Sequence, residues 1–373
     1  MFISLVIPVY NRPQEVRELL ESLTHQTRRD FETVVVEDGS APELSSDGVV
    51  REYADRLDIC YVRQSNGGPA AARNTGAAHA HGDFLVIMDS DCIVPPGYFE
   101  TVYAEVEARG IAFYGGPDMA APDFSPLQKA VSYSMTSVFT TGGIRGNRRS
   151  IGKFSPRSFN LGISRPLFEQ VGGFSDMRIG EDIDFSMRVM AAGAQAWFLP
   201  DAKVCHKRRT SIRLFFKQVF VFGTARVNLD IRHPESRRAL FMLPSLFTIG
   251  SAALLLAALC TSPWFLLAVV GVAALWALGT PVQWGGLLLV LFGAVYAPWW
   301  FSLPFGALML LWFADASVRN RSVAIGWLAV WTSFIQLYGY GAGYLCGLWL
   351  RRVLRKDEPY TYRVTKFFSQ KTR

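Results

Sequence analysis

The stretch Phe84-Leu-Val-Ile-Met-Asp89-Ser-Asp91 decides the fold class of this chain, because a short apolar run ends abruptly in two carboxylates. Working outward from it, three earlier runs are equally short, apolar and rich in β-branched residues. Runs of this length that end at turn residues are typical of buried strands. The sequence therefore predicts four strands, at Ile3–Pro8, Thr33–Glu37, Ile59–Arg63 and Phe84–Asp89.

Segments with a helical pattern separate the predicted strands. Each begins near a proline. The first turn of a helix tolerates proline because the N–H groups of that turn have no acceptor within the helix, so no hydrogen bond is lost. We expect helices at Pro13–Gln26, Pro42–Arg56 and Pro69–Ala80. This alternation predicts an α/β fold with a mostly parallel sheet. Because ligands of such sheets bind beyond the carboxyl ends of the strands, the residues after each strand are the first site candidates.

The composition changes near Arg238. The chain has 373 residues, of which 50% are hydrophobic and 18% are charged. These values exclude a disordered chain and argue against a wholly soluble protein. No charged residue occurs in 239–314 or in 322–350, and one bilayer span takes about 20 apolar residues. We therefore expect a membrane domain of four spans, near residues 242–261, 264–280, 285–313 and 323–350.

Basic residues flank the predicted membrane domain on both sides, namely Arg232, Arg237, Arg238, Arg351, Arg352, Arg355 and Lys356. Because cytoplasmic flanks are rich in Lys and Arg, we expect both ends in the cytoplasm, which agrees with an even number of spans. Arg319 and Arg321, between the third and fourth spans, oppose this topology. The N-terminus shows no signal-peptide pattern, and five cysteines without a CxxC pair favour a reducing compartment.

The net charge of +7 could favour nucleic acid, an anionic bilayer or phosphorylated substrates. The basic, aromatic-rich segment Ser211–Arg232 indicates either an interfacial helix or a packed helix of the domain. Its place beside apolar spans argues against nucleic-acid binding. In the last span, Gly339, Gly343 and Gly347 lie four residues apart. They form a face for close helix packing, or they are only the glycines that membrane helices tolerate.

Two predicted strand ends carry groups suited to phosphate and metal chemistry. Asp89 and Asp91 can both turn toward a hard cation such as Mg²⁺, which binds one or two carboxylates together with substrate phosphates; the alternative is an ordinary acidic turn. Gly67-Gly68-Pro69 opens a helix whose N–H groups attract anions. Arg73, about one turn further on, could reach the same phosphates or lie on the surface.

Three further features each allow a functional and a structural interpretation. Asp38 could accept a hydrogen bond from a nucleobase or form an Asx-type turn. Gly180-Glu-Asp-Ile-Asp184 could supply a general base to an acceptor hydroxyl, or it could simply be the acidic first turn that a helix dipole favours. His206 could ligate a metal ion or be a structural histidine.

Together these residues resemble the family 2 glycosyltransferases of the GT-A fold. The resemblance covers roughly the first 210 residues. It rests on Val6-Ile-Pro-Val-Tyr-Asn11, Val36-Glu-Asp-Gly-Ser40, Gly67-Gly-Pro-Ala-Ala-Ala-Arg-Asn74, Asp89-Ser-Asp91, Phe159-Asn-Leu-Gly-Ile-Ser164, Gly172-Gly-Phe174 and Gly180-Glu-Asp182. The membrane part is similar, more loosely, to that of bacterial polysaccharide and lipid-linked glycan transferases.

The resemblance implies a role for each motif. Asp38 would contact the nucleobase, with uracil as the first candidate, and Asp89 would contact the ribose or the metal ion. Asp91 would bind Mg²⁺ or Mn²⁺ on the donor diphosphate, and His206 would complete the metal site. Asp182 would be the base of a single inverting displacement. Further donor contacts are expected from Pro8, Tyr10, Asn11, Gly67 and Arg73.

On the acceptor side, the resemblance implies Glu181 as a neighbour of the base. A basic loop could hold the phosphate of a polyprenyl-linked acceptor; its members are Arg145, Arg148, Arg149, Lys153 and Arg157. The Q-x-x-R-W motif of processive synthases is absent, since the nearest stretch, Gln218-Val-Phe-Val-Phe222, lacks both the Arg and the Trp. We therefore expect the addition of one or a few sugars.

The sequence thus predicts a multi-pass inner-membrane glycosyltransferase with a cytoplasmic catalytic domain, a nucleotide-sugar donor, and a lipid-linked or polysaccharide acceptor. The expected parts are a GT-A domain at 1–209, a linker helix at 210–238, a membrane domain at 239–350 and a basic tail at 351–373. A polyprenyl-phosphate sugar synthase and a non-catalytic nucleotide-binding scaffold are the alternatives. A transporter is disfavoured, because transport pathways usually carry charges within the membrane.

Overall fold

The computed structural model describes residues 1–119, 124–141, 154–206, 210–277 and 296–363. Ten strands occur in these ranges: β1 (Ile3–Val9), β2 (Phe31–Asp38), β3 (Ile59–Gln64), β4 (Phe84–Ile87), β5 (Cys92–Ile93), β6 (Phe113–Gly115), β7 (Asp118–Met119), β8 (Leu161–Ser164), β9 (Trp197–Phe198) and β10 (Val204–His206). All four predicted strands are confirmed, with ends that shift by one or two residues.

The strands form one large and one small sheet. The large sheet has the order β3-β2-β1-β4-β8-β6-β9, and the small sheet has the order β5-β10-β7. Strands β1 to β4 are parallel neighbours, whereas β8 runs antiparallel to both β4 and β6. This is the mostly parallel α/β sheet that the sequence predicts.

The described helices are α1 (Pro13–Thr24), α2 (Asp47–Tyr53), α3 (Pro69–His79), α4 (Tyr98–Arg109), α5 (Pro126–Thr136), α6 (Val138–Thr141), α7 (Arg165–Gln170), α8 (Glu181–Ala191), α9 (Ile212–Arg232), α10 (Leu243–Thr261), α11 (Pro263–Ala277), α12 (Trp299–Asn320) and α13 (Val323–Leu348). Two apolar clusters cover the two faces of the large sheet. One joins it to α1, α2 and α4, and the other to α3, α7 and α8.

One predicted helix is wrong in its extent. The segment Pro42–Arg56 forms a short 3₁₀ turn at Pro42–Leu44 and then α2, because Ser45 between them has an extended backbone with ψ 144°. The Ser46 N–H donates to Oε2 of Glu37 over 2.7 Å. Glu37 lies at the carboxyl end of β2, so this hydrogen bond holds the interrupted segment against the tip of the strand.

Two of the predicted spans meet the length and hydropathy that a membrane crossing needs. In the described part of the chain these are Ala239–Thr261, which contains α10, and Trp299–Asn320, which is α12. Helix α12 ends later than the predicted span at 285–313, whose first eleven residues lie outside the described residues. The arrangement of four spans therefore stays a prediction.

Helices α9 and α13 pack closely through small residues. A Cβ atom at Gly343 would collide with the carbonyl oxygen of Phe220, and a Cβ at Gly347 would lie 3.0 Å from Val227. The hydroxyl of Thr224 donates to the Gly343 carbonyl over 3.1 Å. The glycine face of the last predicted span is therefore a packing face, and α9 is a packed helix whose first turns alone expose apolar side chains.

The chain after α13 returns to α9. Glu358 forms an ion pair with Arg232 over 2.9 Å, and Asn228 Nδ2 donates to the hydroxyl of Thr361 over 3.1 Å. Both partners lie on α9. The described part of the predicted basic tail is thus docked onto this helix, while residues 364–373 lie outside the described residues.

Candidate active site

A cavity of about 1570 Å³ opens at the carboxyl ends of β1, β2 and β4 and faces the start of α8. It brings together most of the site residues that the sequence predicts. Those that line it are Pro8, Tyr10, Asp38, Arg73, Asp89, Asp91, Glu181 and Asp182. Asn11 and Gly67 lie directly behind this lining. Arg145 and Arg149 lie outside the described residues.

Asn11 shapes the tip of β1. Its backbone has φ 55°, a left-handed conformation that is uncommon for a residue other than glycine. The Asn11 N–H donates to the Ser40 hydroxyl over 2.7 Å, and Asn11 Oδ1 accepts from the Ala41 N–H over 2.9 Å. These bonds tie β1 to the turn after β2 and turn the chain so that Tyr10 and Arg12 face the cavity.

Asp38 organises the glycine-rich turn before α3. Its Oδ1 accepts from the Gly67 N–H over 2.8 Å and from Gln64 Nε2 over 2.7 Å. Its Oδ2 accepts from the Gly68 N–H over 2.9 Å. The carboxylate is 3% exposed. Asp38 therefore fixes the entry to α3 at the edge of the cavity.

The buried side chain of Arg73 connects the two sides of the cavity, the end of β4 and the start of α8. Its Nη2 donates to Asp89 over 2.9 Å, and its Nη1 donates to Glu181 over 2.7 Å. The side chain of Arg73 is only 4% exposed, so it does not lie on the surface. Burial raises the pKa of Glu181, although the charge of Arg73 opposes this shift. Arg73 thus joins the acid after β4 to the acid beside the predicted base.

Asp91 is paired with Arg12, which is not among the site residues predicted from the sequence. Arg12 Nη1 forms an ion pair with Asp91 Oδ2, and the two side chains are 32% and 15% exposed. Burial lowers the pKa of Arg12, but the charge and hydrogen bond of Asp91, together with the charges of Glu15 and Asp89, outweigh burial, so that the pKa is raised. Arg12 directly follows the β1 motif, and its position after a strand end was the available signal.

Asp182 lies in the first turn of α8. Gly180 ends the preceding loop in a left-handed conformation with φ 84°, which favours glycine. Asp182 Oδ1 accepts the N–H of Ile183 over 2.9 Å, and Oδ2 lies 3.6 Å from Nη1 of Arg157. The carboxylate is 21% exposed and lines the cavity, where it can accept a proton from a bound molecule.

Comparison with known proteins agrees with this arrangement. Residues 4–172 match glycosyl transferase family 2. This part of the chain is a family 2 glycosyltransferase domain. The chain is 30% identical over 242 residues to a pre-mycofactocin glycosyltransferase of Mycobacterium tuberculosis, covering 62% of this chain and 48% of that protein. The chain thus spans about half the length of this relative.

Two further comparisons support the family and the fold. Glycosyltransferase AglE of Haloferax volcanii is 26% identical over 257 residues, covering 67% of this chain and 81% of that protein. The solved mannosyltransferase PcManGT of Pyrobaculum calidifontis superimposes with a TM-score of 0.53 at 22% identity, covering 79% of this chain and 86% of that one. Its likeness shows that the family 2 domain has the GT-A fold.

His206 lies beyond the family match, on β10 and opposite Cys92 of β5; its side chain is outside the described part of the structure. Among the residues described, no group of three His, Cys, Asp or Glu side chains is placed to hold a metal ion. Asp89 and Asp91 alone fit the type of site in which one or two carboxylates share Mg²⁺ or Mn²⁺ with substrate phosphates.

The far end of the cavity lies beyond the family match, between α9, α10 and α13. Arg226 of α9 is buried there; its Nη2 lies 2.7 Å from Asp230 Oδ1, and its guanidinium stacks 3.9 Å above the ring of Phe241. The second oxygen of Asp230 accepts from the Tyr344 hydroxyl over 3.1 Å. Sequence analysis did not find this buried network, because it depends on how α9 and α13 pack.

Proposed function

We propose that this protein transfers a sugar from a nucleotide-sugar, a UDP-sugar in the first place, to a hydroxyl group of an acceptor at a membrane surface. The observation that carries the proposal is the single cavity in which the tips of β1, β2 and β4 face Asp182 at the start of α8. The family 2 domain supports the reaction class. The apolar helices α10 and α12 support a multi-pass protein of the inner membrane.

The donor would lie on the strand side of the cavity. We assign the nucleobase to the surroundings of Asp38 and the diphosphate to the first turn of α3, where the helix dipole favours anions. Asp89 and Asp91 would hold Mg²⁺ or Mn²⁺, and PcManGT was solved with GDP-Man and Mn²⁺. When bound, the ion offsets negative charge on the diphosphate. Arg12, 32% exposed beside Asp91, is placed to add a second positive charge.

Asp182 would act as the general base. The acceptor hydroxyl gives its proton to the Asp182 carboxylate while its oxygen forms a bond to the anomeric carbon of the sugar. The bond between that carbon and the phosphate oxygen breaks, and the nucleoside diphosphate keeps the electron pair, so the configuration inverts. Glu181 is less suited to this role, because Arg73 binds its carboxylate over 2.7 Å within the protein.

A polyprenyl-phosphate sugar synthase is the second candidate. The observation that favours it is the group of basic residues that line the cavity near the apolar helices, namely Lys217, Arg226 and Arg238. An acceptor phosphate is already ionised and needs no base, whereas a hydroxyl does. The two functions therefore differ in their dependence on Asp182, and in their products, because a sugar phosphate is cleaved by mild acid.

A donor screen tests the proposal. The full-length protein in detergent is incubated with UDP-, GDP- and dTDP-sugars, with Mn²⁺ or with a chelator, and nucleotide release is measured. We expect release from one donor class that the chelator abolishes. Absence of metal-dependent release from every donor would count against an enzyme and would favour the scaffold. An acid-labile product that Asp182→Asn still forms would favour the synthase.

A further inference from the structure

The cavity does not end at the catalytic acids. It continues between α9, α10 and α13 as an apolar arm, whose lining we define as Leu240, Leu243, Phe247, Gln336, Leu337 and Tyr340. All six residues lie beyond the family match at 4–172. The apolar arm is therefore a feature of the C-terminal part of this chain and has no role in the donor site proposed above.

Gln336 is a polar side chain in the middle of this lining. It is 8% exposed, and no described residue lies within hydrogen-bond distance of its Oε1. A buried amide oxygen without a partner costs free energy, so such oxygens are normally satisfied by protein, water or ligand. Because Gln336 lines the cavity, a hydroxyl or N–H group of a bound molecule can supply the missing donor.

Gln336 and the proposed base line the same cavity. Arg157, which lies 3.6 Å from the Asp182 carboxylate, and Tyr340 of α13 line it as well. Gln336 precedes Tyr340 by four residues, so the two side chains lie on the same face of α13, about 6 Å apart along its axis. A molecule bound in this cavity can therefore contact both Asp182 and Gln336.

Resting on the function proposed above, we propose that the apolar arm binds an amphiphilic acceptor delivered by the membrane. Its hydroxyl-bearing headgroup would lie between Asp182 and Gln336, and its apolar chain between Leu243, Phe247 and Leu337. Leu243 and Phe247 belong to a helix long and apolar enough to cross a bilayer, so the chain stays in apolar surroundings. A soluble polysaccharide has no apolar group to cover this surface.

The role of the chain is tested with two glucosides that share a headgroup. Binding of radiolabelled dodecyl β-glucoside and methyl β-glucoside is measured by equilibrium dialysis with the full-length protein in amphipol. Each buried methylene strengthens binding severalfold, so the dodecyl compound should bind at least about tenfold more tightly. Leu243→Glu should remove about tenfold of its affinity. Leu246→Glu is the matched control, because Leu246 is 57% exposed on the same turn, against 51% for Leu243, and does not line the cavity.

The role of the amide is tested with Gln336→Leu, which keeps the size of the side chain. We expect dodecyl β-glucoside to bind about fivefold more weakly, by the loss of one hydrogen bond. Ser333→Ala is the control, because Ser333 is buried on the same helix with an equally unpartnered hydroxyl and does not line the cavity. Thermal unfolding of each variant confirms that it folds.

The outcomes separate this inference from the proposed function. Equal affinity for the two glucosides, or unchanged binding by Gln336→Leu and Leu243→Glu, would overturn the apolar arm as an acceptor site even if donor hydrolysis is intact. Loss of binding in Leu246→Glu or Ser333→Ala would also overturn it, because the effect would then be general. A protein that releases no nucleotide from any donor refutes the proposed function, whatever the glucosides do.

Discussion

The cavity has a strand wall, formed by the ends of β1, β2 and β4, and a helix wall, formed by α8 and α13. The two walls differ in how their polar side chains are paired. On the strand wall, the carboxylates are engaged within the protein: Asp38 by two backbone N–H groups, Asp89 by Arg73 and Asp91 by Arg12. On the helix wall, Glu181 is paired with Arg73, whereas Asp182 has the N–H of its neighbour and a guanidinium at 3.6 Å. The Oε1 of Gln336 has no partner among the described residues.

This difference supports the proposal that the two walls bind different substrates. Paired charges on the strand wall are held in place before a ligand arrives, as preorganised electrostatics require for a charged diphosphate. Groups with few partners on the helix wall can accept hydrogen bonds from the hydroxyl groups of a neutral molecule. The strand wall therefore suits the donor, and the helix wall suits the acceptor. Each of the following changes tests one side of this assignment.

The largest effect is expected from Asp182→Asn. General-base catalysis contributes about 10²–10⁴-fold, so we expect kcat to fall about a thousandfold while nucleotide affinity changes little. The measurement is sugar transfer together with equilibrium binding of UDP. Asp176→Asn serves as control, because Asp176 lies shortly before α8, is 89% exposed and pairs with Arg232 at the surface. A parallel loss of UDP affinity would place Asp182 in the donor site instead.

The next largest effect is expected from Arg73→Met, which removes the ion pairs that Arg73 forms with Asp89 and Glu181. Loss of one partner of a buried ion pair costs about 3–5 kcal/mol. For a domain of this size, we expect Tm to fall by about 10 °C. Arg73→Met combined with Glu181→Gln should recover part of the loss, because it removes the buried charge that Arg73 offsets. If the double variant is less stable than the single one, Glu181 is not the group that Arg73 stabilises.

The pH dependence of the Arg73→Met defect follows from Glu181. Its pKa is raised above 4.5 in the folded protein, mainly by burial, so the fold favours the protonated form. Below pH 4.5 this acid is protonated in both states and costs nothing, and the cost develops as pH rises through the folded pKa. Without Arg73 this cost grows, so the Tm difference from wild type should be smaller at pH 5 than at pH 7.5.

The parts of the fold that depend on local pattern could be predicted from the sequence. Buried strands such as Phe84–Ile87 are recognisable from their apolar runs, and the parallel sheet then places the residues after them at one edge. The helix break at Ser45 could not be predicted in this way, because it depends on a hydrogen bond from Ser46 to Glu37, nine residues away.

The sequence predicted which residues form the site better than it predicted the contacts that they make. Asp89, Asp91 and Asp182 were predicted, and the structure gathers them in one cavity. Arg73 was expected on phosphates or on the surface, whereas it is buried between two acids, which only the packing of α3 against α8 decides. Gln336 carries no pattern in the sequence. Its significance arises from a cavity formed by helices far apart in the chain.

A smaller effect is expected from Gly343→Ala, which tests whether α13 must lie close to α9 to form the helix wall. The added Cβ would meet the Phe220 carbonyl, and such overpacking costs about 1–3 kcal/mol. We expect a lower Tm and weaker binding of dodecyl β-glucoside, with UDP affinity unchanged. Gly250→Ala is the matched control, since a Cβ there has open space. A loss of UDP affinity would show that the two walls are not independent.

The smallest effect, and the sharpest test of the strand wall, is expected from Arg12→Gln. Arg12 and a divalent ion would compete for Asp91, so removal of Arg12 should strengthen the binding of Mn²⁺ alone. The donor diphosphate would lose a positive charge, so UDP should bind more weakly when Mn²⁺ is present. Because the Arg12–Asp91 pair is partly exposed, each change should be about threefold. Electron paramagnetic resonance of Mn²⁺ and calorimetry with UDP measure the two affinities.

Stronger Mn²⁺ binding together with weaker UDP binding would show that Arg12 competes with the metal ion for Asp91. A purely structural role of Arg12 predicts a different result. A variant that only disturbed the β1 tip would weaken both Mn²⁺ and UDP binding, because Asp91 and the phosphate-binding turn would lose their places together. Arg17→Gln provides the control, since Arg17 lies about one turn further along α1 and pairs with Glu52 at the surface; neither affinity should change. If Arg12→Gln weakens Mn²⁺ binding, Arg12 positions Asp91, and the paired charges of the strand wall belong to its architecture and do not compete with the metal ion.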